Sequence, residues 1–203
     1  MPRSGADTRE RLLAAGSRLF ADEGVHTVPL SRVVAEAGQK NTSALHYHFR
    51  TEGLDARDAL LFAIIDAHNT GIEAERRMLL DGLSRPTLRD LVEAVVRPMA
   101  AKLATVEGRE FLSIISQLVD LFDRWDDPRS PSEARRAFLA IGEALPERVE
   151  PAVRRERVTR FLEMTSEALG SRARLISAGR RRRISDDTFV ANLIDMSVGA
   201  LSA

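Results

Sequence analysis

The chain has 203 residues, of which 44% are hydrophobic and 30% charged, and its formal net charge is zero. This balance excludes a wholly disordered chain, and the absence of cysteine excludes disulfides, thiolate catalysis and cysteine-based zinc sites. The N-terminal segment is charged and lacks an apolar signal-peptide core, and no apolar run approaches the ~20 residues that span a bilayer. We therefore expect a cytoplasmic protein with no membrane partner.

Three short helices are predicted at the start of the chain. The first is expected to begin near Asp7 and to end at Gly24, and the second to begin at Pro29 and to end at Gly38. A polar turn follows, and a third helix is expected over Ser43–Phe49. Three short helices with a tight turn between the last two are typical of a tri-helical helix-turn-helix.

The remainder of the chain is predicted to be helical as well. Residues 50–57 form a connector, and helical periodicity then marks six segments near 58–80, 88–104, 110–122, 133–145, 151–176 and 187–201. No segment shows the alternation of a strand. The predicted fold class is all-α, with an N-terminal helix-turn-helix domain over residues 1–55 and a larger helical bundle over residues 56–203.

The sequence GQKNTSALHYHFR, from Gly38 to Arg50, has the chemistry of a DNA-binding segment. It contains Lys40 and no acidic residue, and its polar side chains can bond to bases and phosphates. The start of the third helix is also expected to offer free backbone N–H groups to a phosphate. Leu45 and Phe49 lie four residues apart and are predicted to face the earlier helices.

Three stretches carry a family resemblance: TRERLLAAGSRLFADEG, LSRVVAEAG and ALHYHF. They resemble the N-terminal domain of the TetR/AcrR family of transcriptional regulators, whereas the rest of the chain is similar in helical layout and in its ending FVANLIDMSVGAL. The resemblance implies that the second and third helices bind double-stranded DNA, without cofactor or metal. The predicted DNA-binding residues are Ser31, Arg32, Gln39, Lys40, Asn41, Thr42, Ser43, His46, Tyr47 and Arg50.

The sequence departs from the family pattern at four places. The turn after Gly38 is one residue longer, and Val28 stands where a capping threonine or serine is common. His46 occupies the place of a tyrosine that often contacts phosphate. The lysine often found after the phenylalanine is missing, so that Arg50 or Arg57 is expected to serve instead.

The resemblance also implies a homodimer that binds a palindromic operator, with half-sites about 34 Å apart. Apolar stripes on the last two helices are the predicted interface, although such stripes can also be buried within one chain. The predicted interface residues are Val158, Leu162, Leu169, Phe189, Leu193, Met196 and Ala200.

In the resembled family the middle helices enclose an apolar pocket for a small-molecule effector, which releases the repressor from DNA. The implied mechanism is a population shift in which effector binding favours one tilt of the long helix. The predicted pocket residues are Phe62, Ile65, His68, Leu91, Val95, Met99, Phe111, Ile115, Leu118 and Phe122.

Two alternative functions remain open. The acidic run Asp120, Asp123, Asp126 and Asp127 could hold magnesium in a helical metal-dependent enzyme, although no other catalytic motif accompanies it. The longer turn is also compatible with a dimeric ligand-binding module that has lost DNA recognition. The preferred interpretation is a regulator that is not an enzyme, with the arginine run at residues 180–183 as an exposed loop between helices.

Overall fold

The computed structural model describes residues 5–49, 51, 53–118 and 132–203, with the backbone alone for Ser132. These parts of the chain contain helices and no strand, which confirms the all-α prediction. The helices are α1 (Gly5–Glu23), α2 (Leu30–Glu36), α3 (Ser43–Phe49), α4 (Ala56–Leu80), α5 (Leu88–Ala101), a 3₁₀ helix (Lys102–Ala104), α6 (Val106–Ile115), α7 (Ser132–Ala144), α8 (Pro151–Ser177) and α9 (Asp186–Ser202). None of the described helices is long and apolar enough to cross a membrane.

The predicted start of α6 is wrong, and glycine is the reason. The sequence predicted a helix from about residue 110, after Gly108, but Thr105 caps the helix by accepting a hydrogen bond from the Gly108 N–H at 3.0 Å. A Cβ at position 108 would lie 2.1 Å from the carbonyl oxygen of Lys102. Gly108 therefore lies inside α6, and its lack of a side chain allows the backbone of the 3₁₀ helix to pass closely.

The chain forms two compact units, Met1–His68 and Asn69–Ala203, and α4 supplies residues to both. In the first unit, α1 packs on α2, α3 and the start of α4. Gly16 permits this packing, because a Cβ there would lie only 3.0 Å from Leu60 Cδ2 on α4. The largest side chains fully buried in this unit are Leu12, Leu19, Phe20, Leu45, Leu60 and Ile64.

The second unit is built around α5 and α8. Helix α5 packs against α7 and α9, whereas α8 packs against α6, α7 and α9. A capping box begins α5, in which Thr87 and Asp90 each bond the other's backbone N–H. Gly170 on α8 allows a close approach to the end of α6, since a Cβ there would lie 2.4 Å from Ser116, the C-cap of that helix.

A buried ion pair connects three helices of the second unit. Arg76 on α4 is 3% exposed, pairs with Glu73 at 3.0 Å and donates to the carbonyl of Ala94 on α5. Burial lowers the pKa of the Arg76 guanidinium, and the negative charge of Glu73 opposes that shift. The Glu73 carboxylate also accepts from the backbone N–H groups of Glu133 and Ala134, and so caps α7.

Candidate nucleic-acid interface

The turn between α2 and α3 is fixed by backbone hydrogen bonds. The Gln39 N–H donates to the carbonyl of Val34 at 2.9 Å, and the Gly38 N–H donates to that of Ala35 at 3.0 Å. These two bonds form a Schellman motif, which requires the left-handed backbone that Gly38 adopts at φ +69°. The predicted stop at Gly38 is confirmed. Pro29, predicted as the first helical residue, instead precedes α2 in extended conformation and serves as its N-cap.

The start of α3 uses its own backbone donors. The Ser43 N–H donates to the side-chain oxygen of Asn41 at 2.9 Å. The next two N–H groups, of Ala44 and Leu45, donate to the carbonyls of Asn41 and Thr42. The expectation of free N–H groups for a phosphate is therefore wrong at these three residues, because the turn itself supplies their acceptors.

The apolar side of α3 holds the helix against the first unit. Leu45 is fully buried and Phe49 is 5% exposed, as the spacing of four residues predicted. Arg9 on α1 covers the Phe49 ring, with its guanidinium carbon 5.2 Å from the ring centroid. This anchoring determines which side of α3 faces outward.

The outward side of α3, the turn before it and the start of α2 together carry the predicted DNA-binding residues that the structure describes. Tyr47 is 82% exposed, and its ring meets that of His48 edge-on with the centroids 4.9 Å apart. Gln39 is half-buried, and Arg50 lies outside the described residues. The other predicted residues are all exposed: Ser31, Arg32, Lys40, Asn41, Thr42, Ser43 and His46.

The positive charge of the first unit is mostly engaged. Arg32 Nη1 lies 2.5 Å from a Glu23 oxygen, and Arg18 makes an equally close pair with Glu36. Among the described residues of this unit, Lys40 is the one lysine or arginine without a hydrogen bond, ion pair or ring contact. A phosphate can approach Lys40 directly, whereas it must displace Glu23 to engage Arg32.

Arg57 has a structural role that the sequence did not reveal. It was expected as a substitute for a DNA-contacting lysine, but its guanidinium donates to the carbonyls of Val25 and Val28 and lies over the ring of Phe20. The side chain is half-buried, and both terminal nitrogens donate to these carbonyls. Arg57 therefore holds the loop before α2, and its contact with DNA stays a prediction.

Comparison with known proteins supports the same picture. No family model matches the chain. An alignment 132 positions long, which covers 59% of the chain, is 27% identical to an uncharacterized HTH-type transcriptional regulator of Mycobacterium tuberculosis. The match spans 66% of that relative's length, just under two thirds.

Two solved structures decide the fold. A TetR-family regulator of Streptomyces coelicolor matches with a TM-score of 0.53 at 17% identity, over 99% of this chain and 98% of that one. A Rhodococcus protein assigned to the same family matches with a TM-score of 0.52 at 18% identity, over 97% of this chain and all of that one. The chain has the TetR-family fold. Helices α2 and α3, which the sequence predicted as a helix-turn-helix, lie within this fold.

The predicted pocket residues of this chain differ in how deeply they are buried. Phe62 is 47% exposed, and Phe122 lies outside the described residues. Four others are buried: Leu91, Val95, Phe111 and Leu118. The remaining four are half-buried: Ile65, His68, Met99 and Ile115. The pocket therefore stays a prediction.

The predicted dimer residues divide into two groups. Val158, Leu162, Leu169 and Leu193 are buried within the single chain. Phe189 is half-buried, whereas Met196 and Ala200 on α9 are exposed, Met196 by 54%. A partner subunit at this face would contact the exposed residues directly, with the buried ones serving as their support.

The sequence left open a magnesium site built from acidic side chains. In the described ranges, no three histidine, aspartate or glutamate side chains converge as a metal site would require. Asp120, Asp123, Asp126 and Asp127 lie outside those ranges.

Proposed function

We propose that this protein is a DNA-binding transcriptional regulator that recognises its operator through α2, α3 and the turn between them. The observation that carries the proposal is the two-sided character of α3. Leu45 and Phe49 fix one side in the core, while Ser43, His46 and Tyr47 on the other side are exposed, and no acidic residue lies between Gly38 and Phe49. The relatives named as HTH-type transcriptional regulators support the same function.

The exposed residues divide by chemistry into two roles. Lys40 supplies a charge for the phosphate backbone, which gives affinity without sequence preference. Tyr47 presents a large aromatic surface at the centre of the outward side, suited to the base edges and thymine methyl groups of a major groove. Asn41 and Ser43 also fix the entry to the helix, since their mutual hydrogen bond sets its first turn.

We further propose that the regulator acts as a homodimer on a palindromic operator. The exposed side chains of α9, Met196 and Ala200, are the direct contacts of this interface. A two-fold dimer presents two α3 helices about 34 Å apart, one helical turn of DNA. Two half-sites at that separation are the corresponding feature of the operator.

The proposed control is release from DNA by a small apolar or amphipathic effector. Helix α4 is continuous from Ala56 to Leu80, and its first turn holds the loop between α1 and α2 through Arg57. An effector that favours one tilt of α4 would shift this loop and the helix-turn-helix behind it. A coupling of about 1–3 kcal/mol changes DNA affinity by severalfold to about a hundredfold.

A footprint on the DNA flanking the protein's own gene tests the proposal. The expected result is a protected, two-fold symmetric sequence that survives competition by random duplex DNA. Absent or sequence-independent protection at low salt would contradict the proposal, and would favour a ligand-binding module without DNA recognition. Met78→Ala, which truncates an exposed side chain of α4, is the matched control and should protect the same sequence.

A further inference from the structure

The turn between α8 and α9 holds four consecutive arginines in a defined backbone. The Arg180 N–H donates to the carbonyl of Leu175 at 3.0 Å, and Gly179, at φ +61°, completes a Schellman motif at the end of α8. At the other end, the Ser185 hydroxyl accepts from the Thr188 N–H at 3.1 Å and caps α9. Both ends of the arginine run are therefore fixed by the helices that flank it.

The charges in this turn are not balanced. Residues 172–187 contain six arginines and two acidic residues, Asp186 and Asp187, and Arg174 also pairs with Glu167. Both Arg172, at 2.6 Å, and Arg182, at 2.5 Å, pair with the carboxylate of Asp186. Because Asp186 already serves two guanidinium groups, it cannot neutralise the other arginines of the turn.

Three guanidinium groups remain available. The side chains of Arg180, Arg181 and Arg183 are exposed and have no hydrogen-bonding or ionic partner within the described ranges. Arg109 on α6 adds a further positive charge beside them, since it donates to Ser177 in the last turn of α8. A chain of zero net charge thus concentrates positive charge at one end of α8.

We propose that this turn, residues 179–185, is a second binding surface, which contacts the phosphate backbone of duplex DNA without sequence preference. The planar guanidinium group matches the geometry of a phosphate better than an ammonium group does. An amphipathic membrane anchor fits less well, because such a segment needs a broad apolar face and Ile184 is the one exposed large aliphatic side chain of the turn. The surface belongs to the second unit, whereas α3 belongs to the first, and contact without sequence preference adds affinity for any duplex DNA.

The test compares three forms of the full-length protein on a short duplex of random sequence. The first is the wild type, and the second carries Arg180→Gln, Arg181→Gln and Arg183→Gln together. The matched control carries Arg85→Gln, Arg97→Gln and Arg148→Gln, which removes the same charge from exposed positions elsewhere in the second unit. Fluorescence anisotropy gives the affinity of each form between about 50 and 200 mM salt.

The turn variant is expected to bind severalfold more weakly, and its slope of log affinity against log salt should fall by about 0.9 for each arginine that contacts a phosphate. The control should keep at least most of the wild-type slope. Equal slopes in the wild type and the turn variant, or equal losses in the turn variant and the control, would overturn the proposal. Binding of the wild type to phosphatidylserine vesicles in preference to the duplex, lost in the turn variant, would also overturn it.

Lys40→Ala, measured on both the random duplex and a selected operator, separates this proposal from the proposed function. If Lys40→Ala loses operator binding while the turn variant binds random DNA like the wild type, the arginine surface alone is wrong. If the turn variant loses random-DNA binding while Lys40→Ala keeps full operator binding, the phosphate contact assigned to Lys40 is wrong and the arginine surface stands.

Discussion

Arg57 donates a hydrogen bond from Nη2 to the carbonyl oxygen of Val28, with the two atoms 2.8 Å apart. The two residues are 29 positions apart in sequence, and the bond joins the first turn of α4 to the loop that leads into α2. The same guanidinium group bonds the carbonyl of Val25 and covers Phe20. One side chain thus fixes the entry to the helix-turn-helix.

Replacing Arg57 by methionine should destabilise the protein by about 2 kcal/mol, because two partly buried carbonyls lose a charged donor. Arg18→Met is the matched control, since it removes only the exposed ion pair with Glu36 and should cost less than about 1 kcal/mol. Urea unfolding measures both. Equal free energies of unfolding for Arg57→Met and the wild type would contradict the role assigned to Arg57.

Gly170→Ala should destabilise the second unit by about 1–3 kcal/mol, since its Cβ would overlap Ser116, the C-cap of α6. Gly142→Ala on α7 provides the contrast, because its Cβ would meet only Val158, at an ordinary 3.9 Å. That variant should gain about 0.5–1 kcal/mol from the better helix propensity of alanine. Thermal unfolding compares the two, and a loss of similar size in both would show that the α6–α8 contact is not the cause.

Asp90→Asn should lower stability in a pH-dependent manner. Hydrogen bonds from the Thr87 hydroxyl and the Thr87 N–H lower the pKa of the Asp90 carboxyl in the folded protein. The stabilisation is therefore present above the unfolded-state pKa of about 3.9 and is lost as the pH falls through the lower, folded-state value. The difference in melting temperature between wild type and Asp90→Asn should be largest near neutral pH and should shrink below about pH 4. A difference that grows on acidification would contradict this assignment.

Met196→Arg should shift the protein from dimer to monomer, because it places a charge at the exposed apolar side of α9. Met78→Arg introduces the same side chain at a position on α4 that is 76% exposed, and should leave the assembly unchanged. Sedimentation velocity distinguishes the two outcomes. If both variants sediment like the wild type, α9 does not form the interface.

The sequence predicts most of the helices because their ends carry local signals. Gly24, Gly38 and Gly179 adopt the positive φ expected of glycines that end helices, and Ser43–Phe49 was predicted with its observed bounds. The start of α6 was missed because a glycine that permits close packing has the same sequence signature as one that ends a helix. What separates the two is the Lys102 carbonyl, a tertiary contact.

The candidate site is predictable in its location and less so in its individual contacts. The burial of Leu45 and Phe49 follows from their spacing of four residues. Tyr47 is exposed because it lies on the other side of the same helix. The sequence does not show that Arg57 donates to two carbonyls. A backbone acceptor is present at every residue, so distant ones cannot be recognised from residue type. Likewise, an apolar stripe cannot show whether its own chain or a partner buries it, which is why Val158 and Met196 were grouped together.

Titration of the full-length protein against its selected operator, with Lys40→Ala and Tyr47→Ala as variants, tests the central claim most directly. Both variants should bind more weakly than the wild type and the Met78→Ala control, and Lys40→Ala should also reduce the salt slope by about 0.9. If both variants bind the operator with wild-type affinity and salt dependence, α3 and the turn before it are not the DNA-binding surface.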